Sequence, residues 1–228
     1  MGKLIRCHFY YLLNKVTLVI FIISSLSVIF FSIFSALSFD DRSSLNVVAS
    51  EYYISVYEII KLTNFILVII LFGYSFSSLC DGYHAITISK QNPRSKYLLS
   101  KLILLLCIFT FLYFLSIAIV VIISLSFKII LSEKMLISFL NLYVILIYYG
   151  LLSTLLIMVV DNIYIVFVLV PLSFIDHEKK LYFLTYILPI EDKNKIARTL
   201  ILPLWYYIIL IIFITLLINL LWSRKDLS

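Results

Sequence analysis

Metal binding and nucleophilic catalysis need histidine, cysteine, serine or carboxylate groups at spacings that let them converge. The chain of 228 residues carries three histidines, His8, His84 and His177, and three cysteines, Cys7, Cys80 and Cys107. No CxxC and no HExxH occurs among them, so no metal site is expected. The isolated cysteines read as free thiols in or beside apolar runs. The four glycines, Gly2, Gly73, Gly82 and Gly150, are too widely spaced for a P-loop or a GxGxxG fingerprint. No nucleotide site is therefore expected in this chain, and an enzyme is not the expected class.

The elements that must carry whatever function exists are apolar. Hydrophobic residues make up 64% of the chain and charged residues 13%, against about 45–50% and about 25% in average soluble domains. A soluble core of this length cannot bury so much, so the expected solvent is a bilayer. Charge-free runs mark the crossings, each needing about 20 apolar residues. They are Val16 to Phe39, Leu62 to Cys80, Leu102 to Phe127, Met135 to Val160 and Leu200 to Trp222. Pro203 suits the first turn of the last helix, where a missing N–H costs little.

A shorter apolar run, Ile163 to Ile175, contains Pro171, and a second, Leu181 to Ile190, contains Pro189. The pattern predicts a short fifth crossing and then a re-entrant or hairpin region over 176–199, tolerable at membrane depth only when covered by protein. The expected fold is all-α. It is a polytopic membrane protein forming a single transmembrane domain over 1–228. It has six transmembrane helices, an N-terminal amphipathic interface helix over 2–15 and a broken helical hairpin before the last span. The first span exceeds the apolar core of a signal peptide and is expected to be retained despite Ala36-Leu37-Ser38.

Six crossings put both termini on one side. Lys and Arg are equally numerous on the two sides. The first two loops, 40–61 and 81–101, decide the orientation, because early helices usually dominate. That assignment makes both termini and the 81–101 loop cytoplasmic, in a multi-pass protein of the cell membrane. The net charge of +6 then reflects cytoplasmic loops and contact with membrane lipids rather than nucleic-acid binding. The use of Ile, Leu, Phe, Ser and Lys with little Gly or Ala suggests an AT-rich bacterial genome.

On these boundaries no ionisable residue lies within the five clear spans. Ion-coupled transport and intramembrane proteolysis both need such groups at depth. Movement of a cargo would draw its energy from another subunit. The mild polar residues, among them Ser75, Thr110, Ser116, Ser153 and Thr154, read first as helix–helix hydrogen bonding. Asn64 and Asn141, deep in long apolar runs, are the candidates for a translocation path. Tyr52, Tyr53, Tyr57, Trp205 and Trp222 read as interface anchors.

The N-terminal segment places Lys3, Arg6, Tyr10 and Asn14 on one helical face and Leu4, Ile5, Phe9, Leu12 and Leu13 on the other. That is the pattern of a helix lying in the headgroup layer. The 81–101 loop opens with Asp81-Gly82, continues through Ile86, Thr87, Ile88, Ser89 and Lys90, breaks at Asn92-Pro93, and re-enters the membrane past Arg94 and Lys101.

The stretch Phe72 to Leu105 resembles the signature region of the permease subunits of type-2 ATP-binding cassette exporters, of the small bacterial peptide-export and immunity kind. Asp81 and Gly82 match its acidic–Gly element, with Asp where Glu is usual. Ile86 to Lys90 match its coupling helix, and Arg94 and Lys101 match its basic positions. The resemblance implies a permease in which Asp81, Gly82, Ile86, Thr87, Ile88, Ser89, Lys90 and Arg94 couple to a cytoplasmic ATPase subunit. ATP and Mg would be bound by that partner, with no cofactor in this chain. A second permease copy or a paralogue would complete the path. Short outer loops and apolar walls favour an amphipathic or lipid-like cargo, such as an antimicrobial peptide. The alternative is a non-enzymatic binding or immunity protein, or a substrate-capture subunit.

Overall fold

The structure, a computed structural model, describes residues 15–38, 45–77, 94–160, 162–173, 186–192, 195 and 198–224. They form a nearly all-helical chain: α1 (Lys15–Ser38), α2 (Leu45–Phe76), α3 (Arg94–Ser126) and α4 (Glu133–Val160) come first. A 3-10 helix (Ile163–Val168) then runs into α5 (Leu169–Ser173), followed by β1 (Glu191–Asp192), β2 (Thr199–Leu200) and α6 (Leu204–Arg224).

Five of these helices are long and apolar enough to cross a membrane, over Phe21–Ser38, Ala49–Phe76, Arg94–Ser126, Glu133–Val160 and Leu204–Ser223. The apolar stretch Tyr164–Ser173 is shorter. Its six residues of 3-10 helix and five of α-helix rise only about 20 Å, against roughly 30 Å of hydrocarbon. Asn162 caps its start, its Oδ1 accepting the Tyr164 N–H at 2.9 Å.

Helices α2, α4, α6 and α3 contact one another in turn to close a four-helix ring, and α1 lies outside it on the seam between α2 and α3. The outward faces are greasy. Leu26, Phe30 and Phe34 of α1, Phe111 and Ile122 of α3, and Ile212, Phe213 and Leu216 of α6 are all exposed. In water such a belt would aggregate; in hydrocarbon it costs nothing. The packing of α2 on α4 is close because Gly150 presents no side chain to Val68 and Phe72, the small-residue device that membrane helices use.

Aromatic rings fill the ring of helices. Tyr53, Tyr57, Phe65, Phe109, Tyr113, Tyr148 and Tyr149 are buried. Phe109 stacks on Tyr143 at 6.1 Å, and Phe65 meets Tyr149 edge-on at 4.8 Å. Tyr52, Tyr53 and Tyr57 are therefore core residues rather than interface anchors, and so is Trp222, which is 1% exposed. Trp205, at 62%, faces outward.

The α3–α4 connection begins with a Schellman cap. Ile129 N donates to Ser124 O at 2.8 Å and Lys128 N to Leu125 O at 3.1 Å. This requires a left-handed residue at the position usually held by Gly, and Lys128 takes it with φ 58°. Ser132 closes the other side, its Oγ accepting the Met135 N–H.

Two expectations are corrected here. The second span was expected to start at Leu62, with Tyr52, Tyr53 and Tyr57 on a helix leading into it from the outer loop; the two are one continuous helix, α2, from Leu45. Glu51, Glu58 and Lys61 end the charge-free run but not the helix, since Glu and Lys are good helix formers. The region before the last span, expected as a broken helical hairpin over 176–199, carries paired strands in its described part. Glu191 lies opposite Leu200 and Asp192 opposite Thr199, antiparallel. Pro189 and Pro203 flank this pair, and a proline cannot donate the bond that would carry a helix through it.

Candidate functional site

Hydroxyl groups in a bilayer must find acceptors. Several serines find theirs at home: Ser75 donates to Leu71 O at 2.6 Å, Ser116 to Leu112 O at 3.1 Å and Ser153 to Gly150 O at 2.7 Å. The mild polar residues were expected to join helices to one another; these three reach their own preceding turn instead, whereas Thr110 also bonds across to Tyr143 of α4. Tyrosines, whose phenol sits several ångströms further out, make most of the bonds between elements. Tyr52 donates to Val120 O at 3.4 Å, Tyr113 to Phe139 O and Tyr148 to Ile187 O. Tyr53 and Ser138 share a bond of 2.6 Å, as do Tyr143 and Thr110.

One charged cluster sits where the strand pair meets α2. Lys61 Nζ lies 2.9 Å from Glu191 Oε2, and the two side chains are 9% and 4% exposed. Tyr57, one turn before Lys61, donates its phenol to the other oxygen of Glu191. Arg198, at the start of the returning strand, places Nη2 3.9 Å from Glu58 Oε1. Its backbone N–H donates to the Tyr53 phenol at 3.4 Å. The Tyr53 and Tyr57 rings both pack on Phe139 of α4 at 5.7 Å. Two cations and two carboxylates thus join one face of α2 to a segment more than a hundred residues away. Lys61 stands about 22 Å along α2 from Phe76, less than the thickness of a bilayer core. The helix that contains the second expected span, α2, carries Glu51, Glu58 and Lys61 ahead of Leu62. The helical stripe Tyr53, Tyr57, Lys61, Phe65, at four-residue steps, carried the signal.

A second cluster lies at the other end of α2. Lys101 of α3 is 0% exposed. Its ammonium donates to the Ser75 carbonyl, in the last turn of α2, where the helix dipole favours a cation. It lies 4.5 Å from the centroid of the Phe76 ring and 5.9 Å from that of Tyr97. Trp222 of α6 completes the box, stacked on Tyr97 at 5.9 Å and edge-on to Phe76 at 5.8 Å. Arg94 Nη1 donates to Ser223 O at 3.3 Å. The end of α2, the start of α3 and the end of α6 are thereby held together.

The residues singled out from the sequence fall as follows. Lys3 and Arg6, and the coupling candidates Asp81, Gly82, Ile86, Thr87, Ile88, Ser89 and Lys90, lie outside the described residues. Arg94 opens α3 beside the end of α6. Asn64 is buried on α2 and donates to its own helix, Nδ2 to Ile60 O at 3.0 Å. Asn141 is half-buried on α4. Neither is brought to the other or to the charged clusters by any hydrogen bond among the described residues. Also among the described residues, no group of His, Cys, Asp and Glu is placed to hold a metal ion.

No protein-family model matches the chain, and no curated protein sequence matches it.

Proposed function

We propose that the chain is the permease subunit of an ATP-driven exporter of the type-2 ATP-binding cassette kind. It works with a second copy or a paralogue and with a separate cytoplasmic ATPase that binds ATP and Mg. The observation that carries this reading is the buried Lys101 box. Residues 78–93, which contain the coupling candidates, leave from the end of α2 and return at the start of α3. Lys101 bridges those two ends and Trp222 ties α6 to them. A push on such a loop moves three helices as one body, which is what coupling of nucleotide closure to alternating access requires.

In this reading residues 2–15 form the interface helix, residues 163–175 provide the short fifth crossing, with covered backbone after it, and both termini are cytoplasmic. The cargo class is amphipathic or lipid-like, in keeping with the apolar walls. Asp81, Gly82 and Ile86 to Lys90 dock the ATPase, and Arg94 steadies the loop's return.

The test is purification of the tagged chain from its host in mild detergent, with its partners identified by mass spectrometry. A stoichiometric nucleotide-binding ATPase is expected. It should be lost from a chain carrying Ile86→Glu and Lys90→Glu that still inserts at the normal level. A chain that purifies alone, under conditions that preserve other membrane complexes, overturns the reading and favours a binding or immunity protein. Undiminished ATPase capture by the double variant removes the coupling role from Ile86 to Lys90.

A further inference from the structure

The connection between α3 and α4 is short and pinned from inside. Phe127 packs against the core, and Ile129 and Met135 are buried. Caps hold its backbone at both ends, Ile129 N on Ser124 O and Met135 N on Ser132 Oγ. What so fixed a turn presents outward is set in advance, which lowers the ordering cost of binding. Lys128 takes the left-handed position of the cap, with φ 58°, and it alone among the described non-glycine residues has a positive φ. Glycine adopts that conformation freely and lysine does not. The Lys128 side chain is exposed, so the fold draws no packing from it. A backbone cost kept in place points to a use for the group that imposes it.

The tip beside it is apolar. Ile130 is 78% exposed and stands between Lys128 and Lys134, both exposed. Neither lysine forms an ion pair among the described residues. Glu133, the carboxylate of this turn, opens α4, where the helix dipole favours it, and the turn keeps a net positive charge. Its depth follows from helix length. The 28 residues of α4 make about 42 Å, against roughly 30 Å of hydrocarbon. Centred in a bilayer, the helix carries each end about 6 Å past the acyl chains, into the headgroup layer. The exposed apolar faces of both helices run up to the turn, through Ile122 and Leu125 on α3 and Leu136 and Ile137 on α4.

We propose that the α3–α4 turn is a docking site for an anionic phospholipid, with Lys128 and Lys134 on its headgroup phosphate and Ile130 against the start of its acyl chains. Two ammonium groups around an apolar tip match a molecule that carries phosphate and hydrocarbon side by side. A soluble anion would leave Ile130 in water, and the cationic headgroup of a zwitterionic lipid would oppose the charge of the turn. The site needs neither an ATPase nor a cargo, so it stands or falls apart from the permease reading.

The experiment titrates the purified full chain with phosphatidylglycerol in mild detergent and reads the bound lipids by native mass spectrometry. Affinity for the first lipid should fall about fivefold in Lys128→Gly and by a similar factor in Lys134→Gln, the effect of one lysine near an anionic headgroup. Ile130→Ser should lower it too. Melting of the same samples without lipid separates binding from folding: Lys128→Gly should melt no lower than the parent, because its backbone strain is relieved. Phosphatidylcholine should bind at least about fivefold more weakly than phosphatidylglycerol, and inorganic phosphate should not displace the lipid. Undiminished phosphatidylglycerol binding by the chain carrying both Lys128→Gly and Lys134→Gln overturns the site. Equal binding of phosphatidylcholine overturns the anionic headgroup as its occupant. Displacement by inorganic phosphate, or full binding by Ile130→Ser, reduces the turn to an anion patch and overturns the lipid.

Discussion

The close approach of α2 and α4 makes a sharp prediction about two glycines at one interface. A Cβ on Gly150 would lie 2.8 Å from Val68 Cγ2 and 3.2 Å from Phe72 Cδ2. Val68 is β-branched and has one good rotamer in a helix, so it cannot swing aside, and the helices must part by some tenths of an ångström. Overpacking of this kind costs about 1–3 kcal/mol, of which the better helix propensity of alanine returns about 1 kcal/mol. A Cβ on Gly73 meets Ile157 Cδ1 at 3.1 Å and Val166 Cγ2 at 3.4 Å. The first is the free end of a flexible side chain, so the propensity gain is kept. Gly150→Ala should thus be less stable than Gly73→Ala by about 2 kcal/mol, roughly thirtyfold in the unfolding equilibrium. Denaturation of the two purified variants in one detergent, by SDS titration followed by circular dichroism, measures the difference. Equal stability, or the reverse order, would refute this account of α2–α4 packing.

Lys128→Gly should stabilise the chain by about 1 kcal/mol in the same titration, because glycine carries no penalty at positive φ. Lys128→Ala, which keeps the Cβ, should gain nothing. Trp222→Ala should cost about 3–5 kcal/mol, as for other buried aromatic truncations. Trp205→Ala, outward-facing on the same helix, should stay within about 0.5 kcal/mol. Comparable losses at the two tryptophans would show that the Lys101 box is not a packing centre.

Hydropathy read along the chain was enough to place most of the long helices. Val16 to Phe39 was expected and Lys15–Ser38 found; Met135 to Val160 was expected and Glu133–Val160 found. Each depends on a local property, a run of residues that water rejects. Local properties do not say which residue from afar arrives to meet a charge or a phenol. Lys61 read as the edge of a span because a lone ammonium is expelled from hydrocarbon. Only the fold brings Glu191 to it across 130 residues of sequence. Tyr53 and Trp222 could have lain at the interface or in the core, since an aromatic ring with a polar tip suits either. The Ser138 hydroxyl beside Tyr53 and the Tyr97 and Phe76 rings beside Trp222 decided for the core. The coupling candidates from Asp81 to Lys90 rest on the sequence pattern, since they lie outside the described residues. Which segments form long apolar helices was thus largely legible from the run of residues along the chain, because solvation acts residue by residue. Which buried polar groups meet was decided by tertiary structure, because a hydrogen bond or ion pair needs two partners brought within about 3 Å.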